Sequence, residues 1–131
     1  MGRTVLCVDD DPDDRDLIQN AIFDIDPSFT VDFAENGRDA LIYLKNSADN
    51  GLPCLIIMDI NMPVMDGKQA IAEIKKWEKL SRIPLVAFST SNHPADLNFC
   101  KLYDVELVVK PTSLRKITEE AQKLLHHCAK S

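Results

Sequence analysis

The sequence lacks a long apolar run, an excess of basic residues and an evident secretory signal. No stretch approaches the roughly 20 apolar residues of a membrane-spanning helix. The amino-terminal segment reaches Asp9 too early for the hydrophobic part of a signal peptide. A formal net charge of -6 argues against nucleic acid or an anionic membrane as the main partner, because phosphate binding needs a basic face. We therefore expect a cytoplasmic protein that binds neither nucleic acid nor membrane.

Closely spaced cysteines are also absent. The four cysteines, at positions 7, 54, 100 and 128, are far apart and form no CxxC pair. Zinc sites and the disulfide frameworks of small secreted proteins usually reveal themselves by such spacing. We expect four reduced, mostly buried thiols and neither a disulfide nor a zinc site.

The apolar pattern predicts one α/β domain spanning residues 1–131. Five short β-rich runs predict strands over residues 4–8, 29–34, 54–58, 85–88 and 105–109. Four of these runs are almost continuously apolar, as in strands covered on both faces, whereas the second alternates as an edge strand does. Helical spacing follows each run, which favours a parallel sheet with right-handed crossovers and helices on both faces. Five such units fit the doubly wound strand order 2-1-3-4-5.

Residues at the ends of the predicted helices carry capping signals. Helical spacing after the third strand takes in Ala70, Ile71, Ile74, Trp77 and Leu80. Pro94 suits an early turn of the fourth helix, over 92–102, where the apolar spacing is poor. Asp13, Asp14 and Asp16 are interpreted as favourable charges in the first turn of the first helix. The expected N-caps are Asp11, Asn36, and either Thr112 or Ser113.

Polar residues follow four of the predicted strands. In doubly wound sheets the ligand site lies outside the carboxyl ends of the strands, and for this order the point of reversal is between strands one and three. The polar residues expected at that edge are Asp9, Asp10 and Asp11 after the first strand, Asp59 and Asn61 after the third, Ser89 and Thr90 after the fourth, and Lys110 after the fifth.

Three of these carboxylates predict a site for a divalent cation and a phosphoryl group. Asp9, Asp10 and Asp59 would lie within a few ångströms of one another, and like charges at that range need compensation. Lys110 or Mg²⁺ could supply it, with Asp10, Asp59 and a backbone carbonyl of the next loop as direct ligands and Asp9 acting through a water. Asp59 is then a candidate nucleophile that forms an aspartyl phosphate. Lys110 and the Ser89 hydroxyl would stabilise the phosphoryl oxygens.

From position 5 to position 125 the sequence resembles the receiver domains of two-component response regulators. The motifs that carry the resemblance are LCVDDDP at 6–12, MDINMPVMDG at 58–67, FST at 88–90 and VKP at 109–111. The resemblance implies a flavodoxin-like, three-layer sandwich, and the strand order 2-1-3-4-5 rests on it. It also implies a phosphohistidine donor, carried by a sensor histidine kinase or a histidine phosphotransfer protein.

The resemblance assigns roles residue by residue. Asp59 matches the phosphorylated aspartate. Lys110 matches the lysine that pairs with the phosphoryl group, and its bond to Pro111 is expected to be cis. The Mg²⁺ ligands are implied to be Asp9, Asp10, Asp59 and the backbone carbonyl of Asn61, while the phosphoryl-binding side chain is implied to be Ser89.

Two positions depart from the pattern of these receivers. Leu107 stands where relatives usually carry Tyr or Phe, and leucine has no polar ring tip to exchange between solvent and interior. Thr90 stands where relatives often carry Ala or Gly, so its bulkier side chain could alter the lifetime of the phosphoryl group. The sequence therefore does not decide which surface responds to phosphorylation or how fast the phosphoryl group is lost.

Three functions are compatible with these residues. The favoured one is a stand-alone phosphoacceptor that switches protein–protein binding, a signalling domain and not an enzyme, although it could catalyse its own phosphotransfer and dephosphorylation. The second is a constitutive receiver-like scaffold that phosphate does not switch, which Leu107 keeps open. The third is a small aspartyl-phosphate phosphatase of the haloacid-dehalogenase type. That class needs its nucleophile in a D-x-D motif at the first strand and a cap for the substrate, whereas the D-x-[DN] element with the candidate nucleophile, Asp59-Ile60-Asn61, follows the third strand and the chain is too short for a cap.

Overall fold

A single parallel sheet organises the chain, whose computed structural model describes residues 3–47, 51–62, 65–90, 93–111 and 113–128. The five strands lie in the order β2-β1-β3-β4-β5, all parallel, so the predicted doubly wound, flavodoxin-like fold is confirmed. The alternating second strand is at one edge of the sheet, as predicted. The strands are β1 (Thr4–Val8), β2 (Thr30–Ala34), β3 (Leu55–Asp59), β4 (Leu85–Ser89) and β5 (Glu106–Val109), each within one residue of its predicted bounds.

Helices alternate with the strands and cover both faces of the sheet. Within the described ranges no helix is both long enough and apolar enough to cross a membrane. The helices are α1 (Pro12–Ile25), α2 (Gly37–Asn46), α3 (Gly67–Lys76), α4 (Glu78–Ser81), α5 (Pro94–Leu102) and α6 (Leu114–Leu125).

The predicted caps are present at three helix starts. The side chain of Asp11 accepts a hydrogen bond from the backbone N–H of Asp13 at 2.9 Å, and Pro12 occupies the first helical position of α1. Asn36 and Ser113 cap α2 and α6 in the same way. The alternative cap Thr112 lies outside the described residues, as does residue 92 at the expected start of α5.

Side chains of alternate strand residues fill two apolar layers. Leu6 and Val8 of β1 enter the layer beneath α2, α3 and α5, whereas Val5 and Cys7 enter the layer beneath α1 and α6. All four side chains are buried. A strand that is apolar at every position therefore reflects a sheet covered on both faces, which is why these runs could be read from the sequence.

The predicted third helix is not continuous, because the backbone leaves the helical conformation at Trp77. With φ −96° and ψ 119° this residue ends α3 and begins the short α4. Its ring is 47% exposed, and the ammonium of Lys45 lies 4.8 Å from the ring centroid. Apolar residues continue at helical spacing as far as Leu80, but Trp77 lies at the surface and not in the core.

The expected cis bond before Pro111 is wrong for this structure. No cis peptide bond occurs in the described part of the chain, so the Lys110–Pro111 bond is trans. The trans form is the ordinary preference of a bond to proline, by about 0.5–1 kcal/mol. The backbone N–H of Lys110 still donates to the Ser89 carbonyl at 2.7 Å, so Lys110 remains fixed to the end of β4.

Two of the four cysteines form a disulfide, which corrects the expectation of four free thiols. Cys54, just before β3, is bonded to Cys128, just after α6, with their Cα atoms 5.1 Å apart. They are 74 residues apart in sequence. They meet because the start of β3 and the end of α6 both lie at the edge of the sheet opposite the carboxyl ends of the strands. Cys7 and Cys100 are free and buried, as expected.

We expect reduction of this disulfide to lower the melting temperature by about 10 °C, since a cross-link over a long loop typically contributes about 2–4 kcal/mol. The measurement is thermal unfolding with and without dithiothreitol, in the wild type and in Cys128→Ser. The reductant should lower the Tm of the wild type and leave that of Cys128→Ser unchanged.

Alkylation in denaturant without reductant gives an independent measure by mass. Two cysteines, Cys7 and Cys100, should react before reduction and all four after it. Reaction of four cysteines before reduction would show that the bond is absent from the protein in solution.

Candidate functional site

The carboxyl ends of β1 and β3 bring two acidic residues side by side. Val8 is paired with Met58 in the register of the two parallel strands. The next residues along the chain, Asp9 and Asp59, are therefore neighbours at this edge of the sheet. Lys110 follows directly after β5, two strands away from β3. The predicted convergence of strand ends thus occurs in the fold.

An acidic cluster forms there. Asp9, Asp10 and Asp59 each present a carboxylate oxygen, and these three oxygens lie within 4.8 Å of one another. Asp9 and Asp59 are only 2% and 4% exposed, whereas Asp10 is open to solvent. Two of the three charges are therefore removed from water, which is costly unless they are paired.

Lys110 is the cation that pairs with them. Its Nζ lies 3.0 Å from Oδ2 of Asp9 and 3.4 Å from Oδ2 of Asp59. A third carboxylate, that of Asp14, lies 2.9 Å from the same ammonium. The lysine side chain is 15% exposed, so its charge is also largely withdrawn from solvent. One ammonium therefore serves three carboxylates.

Backbone amides satisfy the remaining carboxylate oxygens of the buried pair. The N–H of Asp11 donates to Oδ1 of Asp9 at 3.0 Å. The N–H of Asn61 donates to Oδ1 of Asp59 at 3.3 Å. In both cases the donor is two residues after the acid, so the turn that leaves each strand fixes the side chain that ends it.

Burial dominates the protonation of this cluster. It raises the pKa of Asp59 to about 6, with Lys110 opposing the rise and Asp9 adding to it. Burial also raises the pKa of Asp9, against hydrogen bonds from the Asp11 amide and from Lys110. Burial would lower the pKa of Lys110, but hydrogen bonds to Asp14 and Asp9 and the charge of Asp59 outweigh it and raise that pKa above its usual range. The cluster has more negative charge than one lysine can compensate.

The donor set fits a small, hard divalent cation. Mg²⁺ takes oxygen ligands, retains several waters and needs only one or two carboxylates from the protein. Asp10 and Asp59 would hold it, with Asp9 beside them, because all three offer oxygens within 4.8 Å. A cation here would compensate the negative charge that Lys110 leaves unbalanced.

The loop after β3 is held against the strand end by a close backbone approach at Gly67. Its N–H donates to the carbonyl of Ile60 at 2.9 Å. A Cβ at this position would lie 2.7 Å from the Cα of Ile60, closer than real contacts allow, so only glycine fits. Asp66 and Gln69 form a capping box at the start of α3. This loop begins at Asn61, so the same packing holds the amide that contacts Asp59; Pro63 and Val64 of the motif lie outside the described residues.

The remaining predicted site positions, Ser89, Thr90 and Leu107, differ in their exposure to solvent. Ser89 ends β4 and is fully buried, next to the strand that Lys110 follows. Thr90, one residue later, is exposed. Leu107 is half-buried on β5 and packs against the apolar layer of α2, α3 and α5. Ser89 thus faces the interior of the site edge, and Thr90 faces solvent.

Asp14 is the residue whose position the sequence did not reveal. It was interpreted as a charge at the start of a helix, yet its carboxylate makes one of the three contacts with Lys110. A run of aspartates contains no signal that separates the one facing the site from its neighbours. The distinguishing information is helical geometry, because Asp14 is one turn into α1 and that turn faces the end of β5.

The comparisons with known proteins agree with this geometry. Residues 5–122 match the family described as the response regulator receiver domain. Response regulator Rcp1 of Synechocystis sp. is 30% identical over 98 residues, which are 72% of this chain and 67% of that protein. The crystal structure of the phosphorylated cyanobacterial phytochrome response regulator RcpA has a TM-score of 0.88 at 27% identity, covering 99% of this chain and 96% of that one. The Mn²⁺-bound form of Rcp1 has a TM-score of 0.83 at 26% identity, covering 98% and 95% of the two chains.

Other relatives are longer proteins, among them sensor kinases and protein-glutamate methylesterases, in which the matching segment is a minor part of the chain. Receiver domains are thus found both in proteins of similar length and within larger signalling proteins and enzymes. The match over residues 5–122, together with the acidic cluster at the strand ends, places this chain in the response regulator receiver domain family of two-component systems.

Proposed function

We propose that this receiver accepts a phosphoryl group on Asp59 from a phosphohistidine and that the modified domain changes its binding to another protein. The observation that supports the proposal best is the meeting of three carboxylates within 4.8 Å beside an ammonium 3.0 Å from Asp9 and 3.4 Å from Asp59. A structural ion pair would need one acid for one lysine. The surplus of acids suits a site that also holds a cation and a phosphoryl group.

Each residue has a distinct part in the proposed transfer. A carboxylate oxygen of Asp59 attacks phosphorus, the bond between phosphorus and the histidine nitrogen breaks, and the imidazole leaves with its electron pair. With its pKa near 6, Asp59 is mostly ionised at pH 7 and needs no general base. Lys110 and the Ser89 hydroxyl would hold phosphoryl oxygens.

The proposed metal site uses Asp59 together with two acids that do not react, Asp9 and Asp10. Asp9, Asp10, Asp59 and the backbone carbonyl of Asn61 would be arranged around Mg²⁺. When bound, Mg²⁺ would neutralise negative charge on the phosphoryl oxygens. Lys110, which contacts Asp9 at 3.0 Å, would supply a further positive charge beside the metal ligands.

The donor and the target are proposed by class. The donor is a sensor histidine kinase or a histidine phosphotransfer protein, and the output is docking on another protein in the cytoplasm. Leu107 has only an apolar side chain, packed on the core. The switch therefore cannot consist of a ring tip moving between solvent and interior at this position.

Thr90 bears on the lifetime of the phosphoryl group. Its side chain is exposed and directly follows Ser89, so it borders the solvent side of the site. A water that hydrolyses the aspartyl phosphate would approach from that side, and we propose that Thr90 affects the rate of this hydrolysis.

The proposal is tested by incubating the protein with Mg²⁺ and acetyl phosphate and measuring the intact mass. We expect a gain of one phosphoryl group that depends on Mg²⁺. Asp59→Asn should gain none, because the amide is not a nucleophile toward phosphorus. Asp16→Asn is the matched control, since it removes an exposed aspartate of α1 away from the cluster, and it should be labelled like the wild type.

Two other outcomes would favour the competing functions. Release of phosphate over many turnovers without a retained adduct would favour a phosphatase. No adduct from acetyl phosphate or from a cognate kinase would favour a constitutive scaffold.

The buried charge of Asp59 predicts that Asp59→Asn stabilises the metal-free protein at pH 7. The pKa of Asp59 is higher in the folded chain than its ordinary value of 3.8, so folding loses stability from this group as the pH rises from about 4 to about 6. A shift of this size corresponds to about 2–3 kcal/mol. Thermal unfolding in chelator should give a higher Tm for Asp59→Asn at pH 7 and nearly equal Tm values at pH 4.

Adding Mg²⁺ should reverse the order of the two proteins. The ion binds the folded wild type and raises its Tm, whereas Asp59→Asn has lost a ligand and gains less. A difference between the two proteins that persisted unchanged at pH 4 would contradict the assignment to ionised Asp59.

A further inference from the structure

Lys110 divides its contacts between the phosphoacceptor cluster and a residue outside it. Its Nζ is 2.9 Å from Oδ2 of Asp14, slightly closer than the 3.0 Å to Asp9 and clearly closer than the 3.4 Å to Asp59. Asp14 belongs to α1 and is not part of the acidic cluster of Asp9, Asp10 and Asp59. The shortest contact of the lysine ammonium is therefore with α1, outside the acidic cluster.

The position of Asp14 is fixed by the start of the helix. Asp11 caps α1 through the Asp13 amide, and Pro12 sets the backbone of the first helical residue. Asp14 is the third helical residue, so its Cα is held within a rigid first turn. Its side chain is 32% exposed, compared with 15% for Lys110, which places the pair at the border between the site and solvent.

An ammonium has three N–H donors, and in this structure Lys110 donates hydrogen bonds to Asp9 and Asp14 while Asp59 lies 3.4 Å away. A phosphoryl group on Asp59 would bring several oxygens that accept hydrogen bonds. Lys110 can donate more than one hydrogen bond to them only by giving up its bond to Asp9 or Asp14. Asp14 therefore competes with the phosphoryl oxygens for an N–H of Lys110.

We propose that Asp14 is a positioning residue that restrains Lys110 toward α1 and thereby weakens the hold of the site on a phosphoryl group. The inference rests on the proposed function of Asp59. Asp14 would act through Lys110, because it is not one of the three carboxylates of the acidic cluster.

The test uses trifluoroberyllate, a non-transferable analogue of the phosphoryl group, titrated into the full chain with Mg²⁺ by calorimetry. Asp14→Ala should bind the analogue about threefold to tenfold more tightly than the wild type, the scale of a lost competing ion pair near the surface. The aspartyl phosphate formed from acetyl phosphate should persist longer by a similar factor. Mg²⁺ alone should bind no more tightly than to the wild type, because a negative charge has been removed.

Asp13→Ala is the matched control. It removes the same charge from the same turn of α1, and its exposed side chain is not among the contacts that Lys110 makes within the described residues. Its affinity for trifluoroberyllate should stay within about twofold of the wild type, since surface charges away from a contact contribute little. An equal gain in both variants would mean that only net charge matters, and would overturn the inference.

A double-mutant cycle identifies the route of the effect. In a Lys110→Ala background, Asp14→Ala should leave the affinity for the analogue unchanged, because no ammonium remains to be restrained. Asp14→Glu, which restores the carboxylate, should return the affinity toward that of the wild type. A helix that was merely destabilised would lower the affinity for both Mg²⁺ and the analogue, in contrast to the expected opposite directions.

The failure of this inference differs from the failure of the proposed function. If the wild type binds neither Mg²⁺ with trifluoroberyllate nor a phosphoryl group, both are overturned. If the wild type binds the analogue and Asp14→Ala binds it equally or less tightly, only the role of Asp14 is overturned.

Discussion

The mutual repulsion of buried carboxylates at one edge of the sheet is the constraint on which this receiver depends. Asp9 and Asp59 end adjacent parallel strands and are almost fully buried. Their charge is partly compensated by one ammonium, that of Lys110, which follows β5 on the far side of β4 from β3. Burial, aided by the charge of Asp9 and opposed by Lys110, raises the pKa of Asp59 to about 6. The negative charge that Lys110 leaves uncompensated favours the binding of a cation.

The arrangement of the strand ends follows from this constraint. Lys110 follows the strand next to β4, so its side chain has to pass the end of β4 to reach Asp59. Ser89 ends β4 and is a small residue, whose backbone carbonyl also receives the N–H of Lys110. At the end of β3, Gly67 lets the backbone of the next loop approach within a distance that no side chain permits. Small residues thus allow close backbone contacts around the end of β3.

The strands and the residues at their ends could be predicted, because burial on both faces of the sheet leaves a regular apolar pattern in the sequence. Strands covered on both faces are apolar at every position, so their runs were visible and their bounds were correct to one residue. The site was visible as well, because polar residues such as Asp59 and Lys110 interrupt those runs where the strands end. The first inference needs only local sequence, whereas the second also needs the strand order 2-1-3-4-5, which rested on the resemblance to receiver domains.

The parts that could not be predicted depend on contacts between distant segments or on one backbone angle. Cys54 and Cys128 meet through the packing of α6 beside β3, which no spacing in the sequence encodes. At Trp77 the spacing of apolar residues in the sequence remains helical, although the backbone leaves the helical conformation. Asp14 is indistinguishable from Asp13 by composition, and only the turn of α1 decides which of the two faces Lys110.

Leu107 limits how a change at Asp59 can reach the surface of the protein. It packs on the core and has no polar group to exchange, so the route cannot run through a ring on β5. Among the described residues, the lysine that contacts Asp59 is also bonded to Asp14 of α1. A change of charge at Asp59 therefore acts on an ammonium that also contacts the start of α1.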